Sequence, residues 1–181
     1  MNIVVFCGSS TGNDPDFILA AQRLGTWIGR NGHDLVWGGC RTGLMGAVAD
    51  AARAAGAKLT GVLTNNALIQ ARKYQDLDEC IETPDLAARK QCMYRLGDAF
   101  VALPGGPGTW DEMSDVISLA KLSPTEYPIV FINVNGFYDS TRQALRDMAG
   151  AGFCSDQLLE RIDFVPFSSA DGAGGKLEMT L

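Results

Sequence analysis

One histidine, His33, serves the whole 181-residue chain. That scarcity excludes His-rich metal sites, and it leaves a Ser-His-Asp triad to a residue at the entrance of an expected strand, where a turn or edge position is the plain reading. Basic charge is also short: Lys and Arg number 15 against 21 Asp and Glu, a net charge of -6. Nucleic acid and anionic membranes need a basic face, so neither is expected as a partner, and any phosphate must be bound locally. No apolar segment approaches the roughly 18 residues of a spanning helix. The opening MNIVVFCGSS lacks a basic stretch before its short apolar run and reads as a strand rather than a signal peptide. Cys7, Cys40, Cys80, Cys92 and Cys154 form no CxxC pair and no zinc-ligand spacing, and their odd number fits a disulfide framework poorly. They read as reduced thiols in a soluble, cytoplasmic protein with no metal and no cofactor.

What the chain has is alternation. Strand patterns at Asn2–Cys7, Asp34–Trp37, Lys58–Leu63, Leu77–Glu82, Ala99–Leu103, Pro128–Asn133 and Ile162–Phe167 are separated by helical ones. The helices are expected from Asp14-Pro15 to Asn31-Gly32, then over Leu44–Ala55, Pro84–Leu96, Trp110–Leu122 and Phe137–Ala149. This order predicts an α/β fold, a Rossmann-like doubly wound parallel sheet with helices on both faces. Residues 1–170 read as one nucleotide-binding domain and the closing DGAGGKLEMTL, 171–181, as a poorly ordered tail.

Three strand-to-helix turns carry unusual residues: CGSSTGN (7–13), WGGCRTGLMG (37–46) and LPGGPGTWDE (103–112). Glycine lets such a turn expose amide N–H groups, and the following helix N-terminus adds partial positive charge, so each turn suits an anionic phosphate. A lone glycine-rich turn more often satisfies tight geometry, but three at one sheet edge point to a ligand. The second turn does not meet the G-x-G-x-x-G spacing, and no acidic residue ends the third strand to hold a ribose, which disfavours an NAD-dependent dehydrogenase. A P-loop is absent because no Lys-Ser or Lys-Thr completes a glycine turn. In the third turn Asp111 and Glu112 are expected in the first turn of the following helix. Carboxylates there favour the helix dipole but repel a phosphate, which suggests work on a neighbouring part of the ligand.

PGGPGTWDE matches a PGGxGTxxE motif, and FCGSSTGN, GGCRTGLMGAVADAA, the Arg-Lys pair of AARKQCM, DAFVALPGG and INVNGFYD follow in order. Over most of its length the chain thereby resembles the Lonely Guy (LOG) family, the cytokinin riboside 5'-monophosphate phosphoribohydrolases, formerly labelled lysine decarboxylase-like. The resemblance implies metal-free hydrolysis of the N-glycosidic bond of AMP or an N6-substituted adenosine monophosphate. It also implies a homodimer with the site near the subunit interface. It places Arg89 and Glu112 on the catalytic positions. It places Lys90, Gly105, Gly106, Gly108, Thr109 and Asp111 on nucleotide-binding ones, with Ser118 where a ligand-contacting threonine is usual. Gly8, Ser9 and Ser10 of the first turn and Gly38, Gly39, Gly43 and Met45 of the second complete the candidate substrate- and phosphate-binding set.

The chain departs from the family pattern at Cys40, which replaces the third glycine of GGGxxGLMG, at Leu86-Ala87-Ala88, which stand in MHxRK, and across LTNNALIQARKYQDLDE. A carboxylate such as Glu112 suits the positive charge that builds on ribose as a C1'–N9 bond breaks, and a guanidinium such as Arg89 suits either phosphate or a departing purine. A pyridoxal-dependent decarboxylase needs a Schiff-base lysine with a recognisable setting, and none is apparent. The competing reading is a non-catalytic carrier of a nucleotide or of molybdenum cofactor on a similar fold. Leu86, Met93, Tyr94, Leu96 and Phe137 are expected to supply apolar surface for self-association.

Overall fold

Strands that helices cover on both faces have no side that water reaches, so they are written as continuous apolar runs. In the computed structural model, which describes residues 1–122, 127–170, 177 and 179, such runs form β1 (Asn2–Phe6), β2 (Asp34–Trp37), β3 (Leu59–Thr64), β5 (Ala99–Ala102) and β6 (Ile129–Val134). The more polar β4 (Glu79–Thr83) and β7 (Ile162–Phe167) take the two edges. All pairings are parallel, in the order β4-β3-β2-β1-β5-β6-β7. The expected α/β, doubly wound sheet is what the chain forms.

The crossovers are α1 (Pro15–Arg30), α2 (Gly43–Ala54), α3 (Ala67–Gln70), α4 (Leu86–Leu96), α5 (Pro107–Leu122), α6 (Asp139–Gly150) and α7 (Asp156–Leu159). Caps set several starts: the Asp14 side chain accepts from the Asp16 amide at 2.9 Å ahead of Pro15, and Asp85 accepts from the Ala88 amide at 2.8 Å. Leu24 and Ile28 of α1 and Leu44 and Val48 of α2 pack on one sheet face. Met93 of α4, Met113 and Val116 of α5, Leu145 of α6 and Leu158 of α7 pack on the other. Among the described residues no helix is long and apolar enough to cross a membrane. All five cysteines are free.

Four expectations are corrected. α5 begins at Pro107, not Trp110, because proline is tolerated at the first helical position and the following Gly108 and Thr109 are carried with it. Asp111 and Glu112 therefore lie in the second turn, too far in to act as helix-end carboxylates. β4 begins at Glu79 because the Asp78 carboxylate is bound to the Leu59 amide at 2.7 Å, while Leu77 packs beneath Gly61. α6 begins at Asp139 because Asn135 and Gly136, at φ 48° and 80°, make a left-handed turn first. The apolar side chains expected at the surface divide, with Leu86 exposed and most of the others internal. Met93 is fully buried, Tyr94 and Leu96 pack on the core, and Phe137, 43% exposed, packs against Phe17. The four-residue helices α3 and α7, each N-capped by a polar side chain, Asn66 and Ser155, went unread. The segment expected as a tail lies outside the described residues except for Leu177 and Met179, which pack against the α1–α2 side of the core.

Candidate active site

The sheet order reverses between β1 and β5, so the connections leaving those strands diverge and open a crevice at their carboxyl ends. The first and third glycine turns leave from there, and the second lies one strand away on β2. Backbone hydrogen bonds tie all three together: Gly8 N donates to Pro104 O at 3.0 Å, and Leu44 N donates to Gly8 O at 3.1 Å. Gly43 has φ 62°, and a side chain there would strike the backbone of Ser9 and Ser10. A Cβ on Gly105 would strike Thr109, whose buried hydroxyl lies beneath the third turn. A cavity of about 280 Å³ lies between these turns, lined by Gly8, Ser10, Gly105 and Gly106 with the aromatic pair Phe17 and Phe137. Ser9 is exposed beside it.

Gly106 and Gly108 differ from their neighbours. Neither has a positive φ, and among the described residues no atom beyond the local backbone lies within 4 Å of where a Cβ would stand. Among the described residues nothing packs where a side chain at these two positions would stand.

On the α4–α5 side of the third turn lies the pair that the sequence singled out. Arg89, on α4, is 8% exposed. Its Nε donates to Val62 O at 2.8 Å, and its Nη1 meets Glu112 Oε1 at 3.4 Å. The two side chains are 10% and 14% exposed. Burial pushes the Glu112 carboxyl up to about 7, with Asp111 adding to the rise and Arg89 and Lys90 opposing it. The group therefore changes charge near neutral pH. Gly38, at the end of β2, faces the Arg89 guanidinium, with the Met45 sulfur close by.

Lys90 turns away from the pair and clamps α4 to α5 through Asp111 at 2.9 Å and Asp115 at 2.6 Å, which raises its affinity for its proton. Asp111 is thus engaged by Lys90. Ser118 is on the exposed face of α5, two turns beyond Asp111 on the same stripe, and is not brought to the Arg89–Glu112 contact. Gly39 accepts from Tyr74 N at 2.8 Å, and Cys40 bridges to Lys73, so the segment after α3 straps the second turn.

Asp115 and Tyr138 were missed, and Tyr94 was read only as apolar surface. Tyr94 donates to Glu112 O at 3.2 Å, and its ring packs on Phe6 and Phe100. Asp115, four residues after Asp111, shares Lys90, a spacing that was readable. Tyr138 donates to Leu103 O at 2.7 Å, directly ahead of the third turn. Among the described residues no group of three or more His, Cys, Asp or Glu side chains is placed to hold a metal ion.

Residues 45–170 match the model of a family described as possible lysine decarboxylase. The chain is 37% identical over 167 residues to a probable cytokinin riboside 5'-monophosphate phosphoribohydrolase of Oryza sativa subsp. japonica, covering 92% of this chain and 68% of that protein. A cytokinin riboside 5'-monophosphate phosphoribohydrolase of Mycobacterium tuberculosis is 37% identical over 160 residues, covering 88% and 85%. The chain belongs to the LOG family. Among solved structures, a molybdenum cofactor binding protein from Rippkaea orientalis superposes with a TM-score of 0.68 at 22% identity over 91% of this chain and 88% of that one. The molybdenum cofactor carrier protein of Chlamydomonas reinhardtii gives 0.64 at 23% identity, over 88% and 98%. At that identity the likeness is one of fold. Within this LOG-family chain the decarboxylase description has no chemical footing at Lys90. A Schiff-base lysine must shed its proton, and Asp115 and Asp111 hold this one protonated.

Proposed function

We propose that this protein hydrolyses the N-glycosidic bond of AMP or of an N6-substituted adenosine 5'-monophosphate, releasing the free base and ribose 5-phosphate. The observation that carries this reading is Glu112: a largely buried carboxylate in contact with a buried arginine, on the helix that follows from two glycines with open space where a side chain would stand. The phosphate sits on the third turn, against the N-terminus of α5 and within reach of Gly8, Ser9 and Ser10, which supplies locally the positive potential that the acidic chain otherwise lacks. From Gly106 to Glu112 the helix rises about 9 Å, enough for a ribose 5-phosphate to reach the carboxylate side chain.

As the C1'–N9 bond breaks, its electron pair leaves with the base and positive charge gathers on the ribose. The Glu112 carboxylate faces that charge, takes a proton from the water that adds to C1' and gives it up again as the departing base, which holds the electron pair, becomes protonated. Arg89, fixed by Val62 O, holds the carboxylate in place and favours its ionised form. Names of relatives at 37% identity support the reaction class.

The reading includes a homodimer. Leu119 and Leu122 on α5 are exposed and line an apolar cavity of about 250 Å³ together with Tyr94 and Tyr127. A two-fold pairing of this face would bury those side chains close to the substrate site. Sedimentation at micromolar concentration checks this: a dimer is expected, and a monomer that works at full rate contradicts it. The reaction is tested by incubating the protein with AMP and with an N6-substituted AMP and separating free base by chromatography. Equal amounts of base and ribose 5-phosphate are expected, and release from neither nucleotide overturns the enzymatic reading.

A further inference from the structure

Gly38 is a glycine without a conformational reason. Its backbone does not occupy the positive-φ region, so any residue could adopt it. What forbids a side chain is Arg89: a Cβ on Gly38 would collide with Nη2 and stand 3.2 Å from Cζ. The Met45 sulfur is 3.4 Å from the same point, an ordinary contact, so the collision is with the guanidinium. We propose that Gly38 is a positioning residue whose bare backbone seats the Arg89 guanidinium and so keeps Nη1 on the Glu112 carboxylate. The role of that pair in the reaction rests on the function proposed above; how the pair is held rests on the geometry alone.

The guanidinium has little freedom to yield. Its Nε is held by Val62 O at 2.8 Å, and α4 is anchored by buried Met93 and by the Lys90 bridges to Asp111 and Asp115. The group is planar, so a turn about the Nε contact that lifts Nη2 off residue 38 also swings Nη1 away from Glu112. A single methyl at position 38 is thereby transmitted to the carboxylate. The charged and titratable groups that Glu112 feels are Arg89, Lys90 and Tyr94 from α4, Asp111 on its own helix and Cys7 at the end of β1. Of these, Arg89 alone meets the substitution. Its withdrawal leaves burial and Asp111 less opposed, so Glu112 must bind its proton more tightly.

The test is Gly38→Ala in the full-length chain, read by carbon-13 NMR titration of the Glu112 carboxyl without substrate and by steady-state hydrolysis of AMP. The carboxyl midpoint is expected to rise by about half a unit or more. The acidic limb of kcat/KM should move up with it, kcat should fall about tenfold, and KM should stay within about threefold because the phosphate turn is untouched. A folded variant whose Glu112 midpoint stays at the parent value overturns the proposal. If Gly38→Ala alone fails to fold, the stability of Arg89→Ala is compared with that of Arg89→Ala combined with Gly38→Ala: the methyl should cost nothing further once the atoms it meets are gone, and a further loss in the double variant overturns the proposal. A parent protein that releases no base would overturn the proposed reaction while leaving the NMR comparison to decide the positioning role.

Discussion

The second and third turns are both rich in glycine, but for opposite reasons. In the second turn Gly38 is crowded by Arg89, and Gly43 by Ser9 and Ser10 in a left-handed backbone. In the third turn Gly105 is crowded by Thr109, whereas Gly106 and Gly108 face open space with ordinary backbone angles. A glycine that the protein's own atoms demand is a folding requirement. One that they do not demand, at the N-terminal end of a helix where glycine costs stability, points to something outside the chain that must approach the backbone. The second turn's crowded glycines are demanded by the fold and by the arginine beside them, and the third turn's open ones are where the proposed function puts the phosphate.

The largest effect lies just beyond the third turn. Glu112→Gln should leave the fold and most of the nucleotide affinity in place and lower kcat for AMP by about 100-fold, because it removes charge stabilisation specific to the transition state. The parent's kcat/KM should fall as pH drops through about 7, where the Glu112 carboxyl takes up its proton and loses its charge. Steady-state kinetics across pH check both, and a flat profile would remove Glu112 from the reaction.

Substitutions at the turns separate their two roles. Gly43→Ala puts a side chain at φ 62° against the backbone of the first turn, and urea denaturation should show a loss on the order of 2–3 kcal/mol. Gly108→Ala should do the reverse for stability, adding about 0.5–1 kcal/mol because alanine is the better helix residue and meets no protein atom. It should nonetheless weaken AMP binding, measured by calorimetry. A Gly108→Ala variant that binds AMP as well as the parent would erase the distinction between the turns.

The sequence was readable where one local rule governs. Asp14-Pro15 announces α1, and the apolar runs of β1 and β6 announce buried parallel strands. It was unreadable where distant parts meet. The start of α5 was missed because Gly108 argues against helix, although Pro107 is well suited to a first helical position. Arg89 sits on a helix of weak amphipathic pattern, where a cation reads as solvated; its burial depends on Gly38 and Val62, 51 and 27 positions away. The strap over the second turn depends on Cys40 meeting Lys73, a pairing that no local pattern records.

The central claim, that the open glycines of the third turn seat a phosphate beside Glu112, is tested most directly by comparing AMP with adenosine in the parent and in Gly106→Val. The parent should favour AMP by at least about 100-fold in kcat/KM, since a phosphate on backbone amides and a helix N-terminus supplies binding that adenosine lacks. The folded Gly106→Val variant should lose most of that preference by losing activity on AMP, with its low activity on adenosine unchanged. A variant that keeps the parent's preference would place the phosphate elsewhere and contradict the account.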